Sequence, residues 1–371
     1  MSLTSAKPER QGPRMFADRL AESSERFLTA RSVLTCSLLA AFIGLLKAGF
    51  SGVDPIVWSP ESWPLPDGRY PHLSYGIRTL GFTLNIDSAQ AFTNLGFFLI
   101  VSTLLTVSIL VTRAYKSDPA SGRLVALLTL SGPMTWILAG RVGHPDVFVV
   151  LGSAILGLYG HRAVIGVLGG SLLILGSPEQ AVIISFCLLL LSFARSMARF
   201  RPAAIAALLT SFIGWLSLTV WSLTLTRDSR SSIYLELLPG AIERFFIQFP
   251  VIVYAGFGCT VLFVLAALLS EAWRGAVFIF LGSVAIPLFV TATTGDQGRV
   301  LVCISLVSVF GLGLRYGHTV SHLLEIKLRH PLTASLVVVL FLPAIDVTGN
   351  VIRTPWALYY PYIQAYLING F

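Results

Sequence analysis

Charge is what this sequence has least of. Only 12% of its 371 residues are Asp, Glu, Lys or Arg, against 55% hydrophobic residues and a mean hydropathy of +0.78. So little charge excludes an ordinary soluble globule. Cysteine is scarce as well. Cys36, Cys187, Cys259 and Cys303 all lie inside apolar segments, with no CxxC spacing and no neighbouring group of histidines. This excludes a disulfide framework or a cysteine metal site and leaves four small core residues. No signal peptide is expected at its start, because residues 1–32 are polar and the first apolar run is long enough to span a bilayer. The net charge of +8 gives no reason to expect nucleic acid as a partner, since the basic residues are spread between apolar segments.

What is there in abundance is oil, in runs. They fall near 33–52, 90–112, 124–140, 147–160, 163–176, 181–194, 203–226, 250–270, 275–294, 300–314 and 331–349. The expected fold is an all-α polytopic membrane protein of about eleven transmembrane helices, some short or broken, with a structured first outer loop. The three runs between 147 and 194 are short against the roughly 20 residues that cross a hydrocarbon core, so they predict buried, broken or half-crossing helices.

Lys and Arg set the orientation. With the N-terminus inside, the inner segments carry 17 of the 26 basic residues and the outer segments 8, leaving Lys47 within the first span. Eleven of the 18 acids fall outside, which points the chemistry outward. The organisation is then a cytoplasmic tail at 1–32, a bundle at 33–349 with a first outer loop at 53–89 and an outer interfacial segment at 227–249, and an aromatic outer segment at 350–371. In the tail, Phe16, Leu20, Phe27 and Leu28 share one face of a possible interfacial helix, with a solvated tail as the alternative. The segments 227–249 and 350–371 read as headgroup-level anchors, or as rings that meet a sugar or a lipid chain. Such surfaces make membrane lipids partners of the chain.

The distinctive polar residues line up on the outer side. Asp54, Glu61, Asp67, Arg69 and His72 lie in the Pro- and Trp-rich loop GVDPIVWSPESWPLPDGRYPH; Arg141, His144 and Asp146 in GRVGHPD; Glu179 and Gln180 in GSPEQ; Asp296, Gln297 and Arg299 in GDQGR. The last three stretches are tight turns between apolar helices, with Gly or Pro as turn formers, and would hold their side chains together at one boundary. Each has a plain alternative: Asp146 as an N-cap, Glu179 as a favourable anion in a first helical turn, Arg299 as the partner of Asp296. Arg299 also has the planar donors that grip phosphate. Asp54, followed by Pro55, is held at the end of the first span, where it can act as a general base or simply as a solvated helix-terminal acid. At the inner side, His318, His322 and His330 lie in RYGHTVSHLLEIKLRH, a basic helix suited to anionic lipids more than to a metal.

This layout, with Asp54 in GFSGVDP and the run LPDGRYPHLSYGIRTLG closing the first loop, resembles the GT-C superfamily of membrane glycosyltransferases. The resemblance covers the chain as architecture. It implies a polyprenyl-phosphate-linked sugar as donor, a lipid or glycan acceptor, and Asp54 as the base that removes the acceptor's proton. The sequence departs from the family in having no paired acids in the first loop, no WWDYG-like signature and no soluble outer domain after the last span. On this reading Arg299, with Arg69 or His144, holds the departing phosphate, and Glu61, Asp67, His72, Asp146, Glu179, Gln180, Asp296 and Gln297 line the substrate. Because phosphate is a good leaving group, no cofactor is required, though a divalent metal can assist. The bacterial inner membrane is the expected location. Two other readings stay open: a transporter or flippase of a lipid-linked or small polar substrate, for which Lys47 within a span is suggestive, and a glycan polymerase or ligase using Arg227, Arg230 and Arg244.

Overall fold

The computed structural model describes residues 13–49, 80–81, 83–86, 88–223, 230–348 and 351–353. They form helices throughout, apart from an antiparallel pair of three-residue strands, Asp346–Thr348 and Val351–Arg353. Each of the eleven apolar runs overlaps one or more helices, but among the described residues six helices are long and apolar enough to cross a membrane, or seven if a bent pair counts as one span. The count of eleven spans is corrected accordingly. The helices Asp146–Tyr159, Ala163–Gly176, Pro178–Leu191 and Pro331–Phe341 are too short to qualify. The run at 300–314, in contrast, grows into a helix from Gln297 to Lys327, because its apolar stretch ends at Arg315 while its backbone continues regularly.

Proline and short polar side chains set the helix starts. Ser32, Ser88 and Asp118 each accept the backbone N–H three residues on, and Pro119, Pro133, Pro178 and Pro331 begin helices where no N–H is needed. Two spans are interrupted near their middles. Pro119–Gly140 breaks at Ser131 and Gly132, and Phe249–Ser270 breaks at Gly258, which takes a positive φ of 50° that suits glycine. A third span, Trp273–Ala292, widens into a π turn over Leu281–Ala285.

Burial ranks the helices. Gln297–Lys327 is covered along most of its length and forms the axis of the bundle, with Pro119–Gly140 equally enclosed, while Arg195–Trp221 lies at the edge. Close approach between helices depends on small residues. A Cβ at Gly157 would lie 2.5 Å from Phe310 Cβ, and one at Gly166 would lie 2.3 Å from the Ala203 carbonyl oxygen. The perimeter is the reverse, with Leu269, Phe289, Phe341, Trp273 and Val164 all more than 70% exposed. So much apolar surface on the outside suits a hydrocarbon surround and not water.

The N-terminal segment is more than a tail. Pro13–Ala30 is a helix that meets Val33–Ala48 at a bend of 120° and docks on the start of Pro331–Phe341. There Glu25 accepts the N–H groups of Leu332 and Thr333 at 3.3 and 2.7 Å. The first outer loop and the aromatic C-terminal segment lie outside the described residues, apart from a few positions at their edges.

Candidate functional site

The GRVGHPD turn is shaped by Gly143, whose φ is 82°, and it is pressed against the Ala89–Ala114 helix. A Cβ on Gly96 there would come within 2.7 Å of the Gly143 nitrogen. The turn delivers Asp146 to the first position of a helix with only 1% of its surface exposed. Asp146 does not cap that helix. Its carboxylate faces Arg299, one turn into the axial helix, whose Nε donates to Oδ2 at 2.8 Å and to Oδ1 at 3.0 Å, and whose Nη2 donates to Oδ1 at 2.8 Å. Arg299 Nη1 points to Asp296 Oδ2 at 3.4 Å, and Arg141 Nη2 donates to Asp296 Oδ1 at 2.7 Å.

Two carboxylates and two guanidiniums therefore alternate in one chain, Asp146, Arg299, Asp296, Arg141. Formal charge is balanced, which lowers the penalty of burying four ions. Exposure differs among the four: Asp146 and Arg299 are enclosed, whereas the Asp296 side chain keeps a quarter of its surface open. Cys303, one turn deeper, has its sulfur 3.9 Å from Asp146 Oδ1.

The GSPEQ turn abuts this cluster, since a Cβ on Gly176 would lie 3.2 Å from the Pro145 carbonyl oxygen and 2.5 Å from Val149 Cγ2. The three turns expected to face one another do gather at one end of the bundle. Gln297 extends the site sideways by donating its Nε2 to the Ala241 carbonyl at 2.7 Å, on the Arg230–Ile247 helix. Arg244 and Gln248 follow Ala241 at helical spacing. Gln180, Gln248 and Gln297 each bury an Oε1 atom, and Arg244 buries its Nε, without a hydrogen-bond partner among the described residues. Buried polar atoms are nearly always satisfied, so these open valences are where water or a polar ligand would be met.

Of the residues singled out from sequence, the structure unites Arg141, Asp146, Asp296, Gln297 and Arg299, with His144 half-buried on the turn beside Asp146 and with Glu179 and Gln180 at the adjoining helix start. Asp54, Glu61, Asp67, Arg69 and His72 lie outside the described residues. Arg299 is occupied: two of its three guanidinium nitrogens serve Asp146, leaving little of it to offer a phosphate. Gln248 was not foreseen. A glutamine at a helix junction looks ordinary until its neighbours are known, and Arg244 drew notice only for its charge. Among the described residues no three of His, Cys, Asp and Glu converge as a metal cage. His318 and His322 stack in parallel, 6.3 Å apart, on an exposed face of the axial helix.

Neither the known protein families, nor the curated proteins, nor the solved structures give a match to this chain.

Proposed function

We propose that this protein is a membrane glycosyltransferase that moves a sugar from a polyprenyl-phosphate donor to a lipid or glycan acceptor on the outer face of a bacterial inner membrane. The observation that carries the reading is the unsatisfied polar atoms that run from Gln297, in the cluster's own turn, to the Arg230–Ile247 helix it bonds. Three glutamine side chains with open valences and one arginine Nε suit a polyhydroxylated ligand, because each sugar hydroxyl both donates and accepts and so fits either amide orientation.

In this reading the acceptor hydroxyl attacks the anomeric carbon while Asp54 takes its proton. The bond to the phosphate oxygen breaks, the configuration inverts, and polyprenyl phosphate departs. Arg299 then acts as a positioning residue that fixes Asp146 and Asp296, and the contact with the donor phosphate passes to Arg244, with Arg69 and His144 in the roles first given to them. A divalent ion, where one assists, would meet the donor phosphate.

The test is release of polyprenyl phosphate by the purified protein in nanodiscs supplied with a panel of polyprenyl-phosphate sugars. Asp54→Asn is expected to lower turnover on the order of a hundredfold or more in a folded protein. Unchanged turnover would remove Asp54 from the mechanism, and no release from any donor by the wild type would remove the glycosyltransferase reading. A transporter is the second reading, favoured by helix breaks halfway along two spans, and is read by substrate flux in proteoliposomes.

A further inference from the structure

Lys47 stands apart from the ion cluster and has no role in the transfer described above. It lies one residue before the end of the Val33–Ala48 helix and is only 4% exposed. Its ammonium carries three N–H donors, of which one is taken, by the Val339 carbonyl oxygen at 2.5 Å. The Trp136 ring lies 5.1 Å from the nitrogen. Among the described residues no carboxylate pairs with Lys47. An ammonium held inside an apolar bundle without a counter-ion is expensive, and such groups commonly mark a ligand or an ion path.

The surroundings are arranged for an anion. Lys47 borders a small cleft whose wall includes Leu128, Ser131, Gly132, Trp136, Tyr254 and Val339. Both mid-span breaks meet there, since Gly258 lines the same cleft and a Cβ on it would lie 3.0 Å from Pro133 Cδ. At the first break three of the freed carbonyls are taken by side chains. Ser131 Oγ donates to the Leu127 carbonyl, Thr135 Oγ1 to Leu130 and Trp136 Nε1 to Ser131. The negative end of the first half-helix is thus blunted in part, and the second half-helix begins at Gly132 without a side-chain cap. Tyr254 directs its hydroxyl away, to the Pro343 carbonyl at 2.6 Å. Among the described residues no carboxylate lines the cleft.

We propose that this cleft is a binding site for one oxyanion, a phosphate or carboxylate group that accepts the two remaining N–H groups of Lys47. The site stands whether or not the polar end of the bundle transfers a sugar. Its ligand is either a small anion in solution or the head of an anionic lipid.

The experiment uses the full chain in phosphatidylcholine nanodiscs and reads thermal stability against added inorganic phosphate, acetate or phosphatidate. Stabilisation by inorganic phosphate or acetate in neutral nanodiscs identifies a soluble anion, and stabilisation by phosphatidate alone identifies a lipid head. Either supports the site provided that Lys47→Gln weakens the response by roughly tenfold and Lys47→Arg retains most of it. A response equal in wild type and Lys47→Gln places the anion elsewhere and overturns the proposal, as does the absence of any response in the wild type. A second readout needs no variant. Labelling of Lys47 in the wild type by a membrane-permeant amine reagent should fall when the stabilising anion is present, and labelling that the anion leaves unchanged overturns the proposal.

Discussion

At the residue scale, the pair Asp146 and Arg299 decides the character of the polar end. Both side chains are nearly out of reach of solvent, and the guanidinium meets the carboxylate along one edge with three hydrogen bonds. Removing one member leaves a buried charge without compensation. Asp146→Asn and Arg299→Gln are each expected to lower stability by about 3 kcal/mol, measured as loss of thermal stability in nanodiscs. The double replacement should cost clearly less than the sum, because neither orphan charge then remains. The sequence shows two aspartates and two arginines within two short turns, an equality of charge that hints at internal pairing. It does not show which pairs form across 153 positions, so Arg299 reads as free for a phosphate when considered alone.

At the element scale, two carboxylates at the other end of the bundle join helices distant in sequence. Glu25 supplies the missing cap of Pro331–Phe341, a helix whose own N-cap, His330, makes no side-chain bond. Glu25→Ala is expected to weaken that docking by about 1 kcal/mol, seen as faster amide exchange over 17–30 with the rest of the bundle unaffected. Glu271, between two spans, accepts a hydrogen bond from Tyr316 at 2.8 Å, and Tyr316 in turn meets Ser196 at 2.7 Å. Partial burial works against ionisation of Glu271, but the hydrogen bonds from Ser196 and Tyr316, with Arg315 nearby, outweigh it and hold the carboxyl below its ordinary value of 4.5. A depressed carboxyl contributes stability above the unfolded value and loses it as pH falls through the lower folded one. Tyr316→Phe should therefore be less stable than wild type near pH 7, by at most about 1 kcal/mol for so solvated a group, with the gap closing below pH 4.5. Equal gaps at both pH values in a melting series would dissociate Glu271 from the effect. Helix positions were legible at this scale because apolar runs and prolines mark them. Helix lengths were less so, since a run ends at the first charge while a buried backbone can continue past it, as the axial helix does beyond Arg315.

At the scale of the whole molecule, membrane character follows from composition, and the exposed apolar perimeter agrees with it. The meeting of the polar turns at one end was also readable, because each turn joins helices whose ends must lie at the same boundary. The ranking of helices into axis and edge was not readable, since Gln297–Lys327 and Arg195–Trp221 have similar hydropathy and differ only in what surrounds them. Nor could a single sequence show that Lys47, noticed as a charge within a span, sits where two broken helices meet. The Glu25 cap carries a further implication, in the order of events during synthesis. Its partners lie more than 300 residues downstream, so the first helix cannot reach its seat until nearly the whole bundle has been made. A ribosome adding about 5–20 residues per second leaves that helix waiting on the order of fifteen seconds to a minute. During that interval its charged and apolar faces must be accommodated by something other than the rest of the protein, and the membrane surface is the nearest host. The last apolar helix thus acts as the clasp that closes the bundle.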